Sequence, residues 1–146
     1  MNGIKGRLTR RRAAAVVLIA AFLLLALIGL RVQWSKTDCR TAEGRIRCLR
    51  KLGWEVDAAS EEHRSVRLPV TPDDTLRAYN NMQKAQGFNL SRHWGETCEI
   101  YTYEVTNYPD CGQTVLAALY VQGRRIIAGD IHSTALDGFM HGLKRP

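Results

Sequence analysis

The sequence predicts an α+β domain of about 110 residues following a single N-terminal transmembrane helix, and three observations predict it. Residues 13–30 read AAAVVLIAAFLLLALIGL, with no charged or hydrogen-bonding side chain. Two later stretches, 41–52 and 71–86, repeat apolar residues at helical spacing between start and stop signals. From residue 97 onward the pattern changes to strands separated by turn residues. The expected order after the span is α-β-β-α-β-β-β, with the two helices packed on one face of an antiparallel sheet.

A helix over residues 13–30 rises about 27 Å, close to the roughly 30 Å hydrocarbon thickness of a bilayer. Trp34 stands where an interfacial aromatic belongs, and Arg31 can snorkel to the headgroups. A cleaved signal peptide shares the basic start, but its apolar core is about 7–15 residues long and ends at a small-residue site that this sequence lacks. Lys-Thr-Asp before Cys39 speaks against a lipoprotein-type site, and Thr9-Arg10-Arg11 is only a weak twin-arginine match. An uncleaved anchor is therefore expected.

Basic residues flank the span on both sides, with Arg31, Lys36, Arg40, Arg45, Arg47 and Arg50 just beyond it, so counting charges does not set the orientation. Size does: long domains translocate largely regardless of charge, whereas the tail 1–12 carries Lys5, Arg7, Arg10, Arg11 and Arg12 with no acid and tends to stay inside. The expected layout is a basic cytoplasmic tail (1–12), a transmembrane helix (13–30), a connector (31–40) and an extracytoplasmic domain (41–146) at the cytoplasmic membrane.

Within the domain, Ala42, Ile46 and Leu49 define the inward face of the first helix and Gly53 ends it. Its other face, Arg45, Arg47, Arg50 and Lys51, is basic enough to meet anionic headgroups. Residues 54–57 read as a short strand, 58–63 as a polar loop, and 65–70 as a half-buried strand with Val66, Leu68 and Val70 on one side. Thr71-Pro72-Asp73-Asp74 starts the second helix with Thr71 as cap. Leu76, Tyr79, Met82 and Gln83 fall near one face of it, the helix runs to Gln86, and Gly87 supplies the left-handed residue that stops it. Strands over 97–107, 114–122 and 124–131 follow, joined by Tyr108-Pro109-Asp110 and a tight reversal at Gly123.

The net charge of +7 looks like a nucleic-acid signal until it is divided at the span. Six of the basic residues, and no acid, lie within residues 1–31, so the domain itself is near neutral and lacks the basic footprint that phosphate binding requires. The cysteines Cys39, Cys48, Cys98 and Cys111 form no metal-ligand spacing. On one helix Cys39 and Cys48 would stand about 13 Å apart, too far to bond, so free buried thiols are expected.

Catalytic signals are thin. Ser91 and Ser133 lie in no nucleophile-elbow context, and Gly87 and Gly123 punctuate turns instead of cradling phosphate. The one constellation that merits weighing joins Asp130 and His132, which alternate onto one face of a strand, to Asp137 and His141 beyond it. Two carboxylates and two imidazoles suit a divalent metal, though Asp-Gly and His-Gly are also ordinary turn chemistry. Trp94, Tyr101, Tyr103, Tyr108 and Tyr120 are candidates to line a ligand groove, or to pack as sheet surface. Asn89-Leu90-Ser91 matches a glycosylation sequon that carries little weight by itself. No cofactor is expected.

Several stretches together carry a family resemblance: Leu52-Gly53-Trp54-Glu55-Val56, Gln86-Gly87-Phe88-Asn89-Leu90, Tyr101-Thr102-Tyr103-Glu104-Val105 with Asn107-Tyr108-Pro109, Gly129-Asp130-Ile131, and residues 136–143. Over residues 45–145 the chain resembles a domain-of-unknown-function family, the DUF4830 type, of single-span envelope proteins from Gram-positive, spore-forming bacteria. In that pattern His132 replaces a cysteine or small polar residue and Asn89 an aspartate, which counts against a metal site common to the family. The resemblance implies architecture and location and transfers no functional residue.

The sequence thus favours a non-enzymatic binding or interaction module of the bacterial envelope, with an envelope protein or wall component as partner. The alternatives are an envelope enzyme or metal-dependent hydrolase using the Asp/His residues, and a membrane-surface sensor using the basic helix.

Overall fold

The alternating C-terminal half folds into most of a five-stranded antiparallel sheet: β1 (Glu62–Arg67), β2 (Thr97–Glu104), β3 (Val115–Gln122), β4 (Arg125–Ser133) and β5 (Met140–Gly142), adjacent in chain order. Helix α1 (Ala42–Lys51) precedes β1, and helix α2 (Asp74–Ala85) lies between β1 and β2. This computed structural model describes residues 37–109 and 111–145. The tail 1–12, the expected span 13–30, and Arg31 and Trp34 lie outside the described residues. Among the described residues no helix is long and apolar enough to cross a membrane.

Two helices on an antiparallel sheet are as expected, but the strand order differs at both ends. Residues 54–57 contribute one isolated bridge, Val56 to Val105, because Trp54 turns inward and donates its indole N–H to the Leu143 carbonyl at 2.6 Å. The strand expected at 65–70 runs instead from Glu62 to Arg67, paired with β2 from Thr102 to Thr97. Pro69 has no N–H for a ladder, and Val70 is exposed. At the far end β5, three residues long, carried too little pattern to be expected.

Helix starts show the same competition between adjacent caps. Thr41 caps α1, its hydroxyl accepting the Gly44 N–H at 3.1 Å. For α2 the cap is Asp73 instead of Thr71, since the Asp73 carboxylate takes the Leu76 N–H at 2.8 Å and a carboxylate is the stronger acceptor at a helix's positive end. Gly87, at φ 92°, ends α2 as expected, with Phe88 N–H returning to the Gln83 carbonyl at 3.0 Å.

The register places the helices on opposite faces of the sheet, not on one. Tyr103 pairs across to Ala117 and Ala117 to Ile131, whereas Ile100 pairs to Tyr120 and Ala118 to Asp130, and the two rows alternate through the pleat. Arg45 of α1 bonds Tyr103 in the first row, while the Tyr79 ring of α2 packs on Tyr120 in the second at 5.8 Å. The first face is the closed core, with Leu49, Trp54, Tyr103, Val115, Ala117, Leu119, Ile131 and Leu143 all buried. On the second face a smaller cluster of Leu68, Leu90, Cys98, Ile127 and Ala128 fills one end, with Trp94 packed against it.

Helix α1 is also turned relative to its expected face. Gly44, Arg45, Cys48 and Leu49 are buried, and Ala42 and Ile46 only half so. The rotation takes Arg45 out of the basic outer face and makes it a structural cation. Its Nε donates to the Tyr103 hydroxyl at 2.7 Å, Nη1 to the carbonyls of Cys39 and Arg40 at 3.0 and 2.8 Å, and Nη2 to both Glu61 oxygens at 2.9 Å. The guanidinium lies 3.5 Å over the Tyr101 ring. One side chain thereby joins the N-terminal turn, α1, the 3-10 turn Ala58–Ser60 that ends at Glu61, and β2.

Removing one partner of such a buried pair strands the rest, so Arg45→Met is expected to lower stability by about 3 kcal/mol in urea unfolding. Burial alone would raise the Glu61 carboxyl, but the bonds from Tyr103 and Arg45 outweigh it and hold it below its ordinary value. Its contribution is then complete at neutral pH and is lost as pH falls below the unfolded value of about 4.3. Glu61→Gln should flatten this part of the acid-unfolding curve; an unchanged curve would contradict the assignment.

Candidate functional site

The second face becomes a site because α2 is held to the sheet mainly by amides. Asn80 and Gln83 are its two buried residues: the Asn80 side chain accepts the Leu90 N–H at 2.8 Å in the turn that follows the helix, and Gln83 meets the sheet. Strand β5 pairs with β4 only from Asp130 to His132, so Gly129 just before it presents an unpaired N–H and C=O. Gln83 supplies what a strand would: its Oε1 accepts the Gly129 N–H at 2.9 Å and its Nε2 donates to the Gly129 carbonyl at 3.0 Å. Gln86 donates to the same carbonyl at 3.1 Å and accepts the Leu143 N–H at 2.6 Å. Position 129 has no room for a side chain, since a Cβ there would meet Leu143 Cδ1 at 2.7 Å and the Ala118 carbonyl at 2.8 Å.

Clamped at its C-terminal end, α2 stands off the sheet toward its N-terminus and leaves an open cleft of about 1110 Å³. Leu76 and Met82 on the helix and Ile100 and Ala118 on the sheet give it apolar walls, with Glu62 and Arg64 of the edge strand at the rim. On its floor is Asp130, only 2% exposed. The Tyr79 hydroxyl donates to Asp130 Oδ2 at 2.5 Å, and His132 Nδ1 lies 2.7 Å from Oδ1. Burial, reinforced by the Asp130 charge, raises the Tyr79 hydroxyl far above its ordinary value, so it stays a donor. The contact of Nδ1 with Asp130 fixes the His132 ring orientation and leaves Nε2 as the nitrogen for another partner.

Alternation along β4 therefore brings Asp130 and His132 together as the sequence suggests, but not the other two candidates. His141 pairs with Ile131 across β4–β5, on the opposite face, where its Nε2 lies 3.1 Å from the Tyr108 hydroxyl. Asp137 is exposed in the turn before β5. Among the described residues no three His, Cys, Asp or Glu side chains group closely enough to hold a metal ion.

The aromatic candidates separate in the same way. Tyr120 lines the cleft and Trp94 packs on the Leu68–Leu90 cluster. Tyr101 is sandwiched between the His63 ring at 4.7 Å and Arg45, and Tyr103 is wholly buried. Tyr108 stacks on Trp54 at 5.5 Å and Phe139 at 4.8 Å. The residue that sequence reasoning did not select is Tyr79. Its place on the inward face of α2 was legible, but its pairing with a carboxylate 51 positions away was not.

The family model described as a domain of unknown function (DUF4830) matches residues 48–131. The chain belongs to this family. The matched segment runs from the middle of α1 into β4, so it contains Tyr79, Gln83 and Asp130 and ends one residue before His132. No curated protein and no solved structure matches the chain.

Tyr79→Phe deletes one donor to a buried carboxylate and is expected to cost about 1–3 kcal/mol in urea unfolding. Asp130→Asn in the same background should cost clearly less than in the wild type, because the two groups interact directly. Strict additivity of the two substitutions would contradict the bond.

Proposed function

We propose that the chain is a membrane-anchored, extracytoplasmic binding module of the bacterial envelope, and that its ligand occupies the cleft between α2 and the sheet. The observation that carries this reading is the floor of the cleft, where a buried carboxylate and an imidazole of fixed orientation lie between apolar walls. Small-ligand sites have this composition: mostly apolar surface with a few convergent polar groups. A volume of about 1110 Å³ suits a fragment of a few residues or sugars. Hydroxyl or ammonium groups on such a wall fragment can donate to Asp130 and to His132 Nε2, and the rim pair Glu62 and Arg64 meets either charge. The apolar, uncharged run at 13–30 supports the anchor, and the acid-free tail 1–12 supports an outward-facing domain.

A second reading, catalysis without a metal, draws on the same pair, because an imidazole oriented by a carboxylate is also how a general base is held. Turnover of a wall fragment by the purified chain, abolished by His132→Ala, would favour it over simple binding.

The binding reading is tested with the full-length chain in detergent micelles, titrated with soluble wall fragments and followed by NMR. Resonances of Tyr79, Tyr120 and His132 should shift, and His132→Ala should weaken binding about tenfold, the equivalent of one lost hydrogen bond. Saturating fragments that leave these resonances unmoved would contradict it. Location is tested separately by labelling the half-exposed Cys111 in intact cells with a membrane-impermeant thiol reagent. Labelling is expected, and protection that ends only when the membrane is opened would reverse the orientation.

A further inference from the structure

Cys39 does not lie on α1 with Cys48. It sits in the turn at residues 37–40, which folds back along the helix, so that the separation of about 13 Å expected for two positions on one helix does not apply. The two Sγ atoms are 3.6 Å apart, and the residues are 1% and 4% exposed.

The turn that carries Cys39 is fixed by contacts that do not involve sulfur. Cys39 N–H donates to the Arg124 carbonyl at 3.2 Å, and its own carbonyl takes Arg45 Nη1 at 3.0 Å. Asp38 pairs with Arg40 at 2.7 Å and with Arg124 at 3.2 Å. The backbone on both sides is therefore held in place without a covalent bond, and a bond of about 2.0 Å requires the sulfurs to close by only about 1.5 Å. Cys98 lies in the apolar cluster on the other face of the sheet, and Cys111 in the β2–β3 connection.

We propose that Cys39 and Cys48 are the two halves of a disulfide that fastens the turn at residues 37–40 to α1. The proposal does not rest on the ligand cleft. In the docked turn the hydrogen bond from Cys39, with Lys51 and Arg47 nearby, lowers the Cys48 thiol despite its burial, and because the two cations belong to the same helix they stay beside Cys48 when the turn is undocked and make it the attacking thiolate. It attacks one sulfur of a disulfide oxidant and displaces the other as a thiolate. Cys39 then loses its proton and attacks Cys48 Sγ, forming the Cys39–Cys48 bond and releasing the second oxidant sulfur. Two electrons pass from the cysteines to the oxidant disulfide, and the two cysteine protons end on the two thiols it becomes. Both sulfurs are covered in the folded domain, so the exchange accompanies docking of the turn.

The test uses the full-length chain equilibrated with oxidised glutathione, then denatured and counted for alkylatable thiols. Two thiols are expected before reduction and four after it. Trypsin cleaves after Lys36, Arg40, Arg47 and Arg50, so the unreduced digest should contain residues 37–40 linked to residues 48–50. The oxidised chain should melt about 10 °C above the reduced one, the shift expected for a short closed loop. The Cys98→Ser/Cys111→Ser double variant, which leaves the pair intact, should show no alkylatable thiol before reduction and two after it, with the same difference in melting between its oxidised and reduced forms. Four free thiols after oxidation, or a lost pair that persists in Cys48→Ser, would overturn the proposal.

Discussion

Gly129 presents a backbone N–H and C=O just where β4 runs past the end of β5, and burying them unpaired would cost several kcal/mol. The side-chain amide of Gln83 answers both at once, and Gln86 adds a second donor. Much follows from this substitution of a side chain for a strand. It fixes where α2 docks and which turn of the helix touches the sheet. It also allows the docking face to be polar, so apolar side chains farther along α2 are free to line a cleft.

The two faces of the sheet differ because their closing interactions differ. The face under α1 is sealed by volume: Trp54, Leu119, Ile131 and Leu143 exclude solvent, and the cation admitted there, Arg45, has its charge and its donors matched. The face under α2 is held by directional bonds at Gly129 and at Asp130, with open space beyond them. Directional bonds hold an element at chosen points without requiring contact along its whole length. A binding cleft needs that property, and a packed core does not.

The sequence made legible whatever depends on local period and punctuation. Both helices, the three long strands, the Gly87 stop and the shared face of Asp130 and His132 follow from spacings of 2 and 3.6. What it hid depends on partners distant in the chain. Arg45 reads as one more residue of a basic face until Glu61 and Tyr103 are seen around it. Cys39 and Cys48 read as too distant while both are imagined on one helix. The division of α1 and α2 between faces follows from which row of β2 and β3 each helix meets, and a single strand's alternation does not encode that choice. His141 was grouped with His132 by proximity in sequence, yet β5 pairs in the register that points it to the other side.

The central claim is that a side-chain amide holds α2 where the cleft requires it, and hydrogen exchange at one backbone amide tests it most directly. The Gly129 N–H should exchange as slowly as the core amides of β2 and β3, although no strand accepts from it. In Gln83→Met it should exchange orders of magnitude faster while those core amides remain protected. Rapid exchange of Gly129 in the wild type, or protection that survives loss of Gln83, would contradict the account.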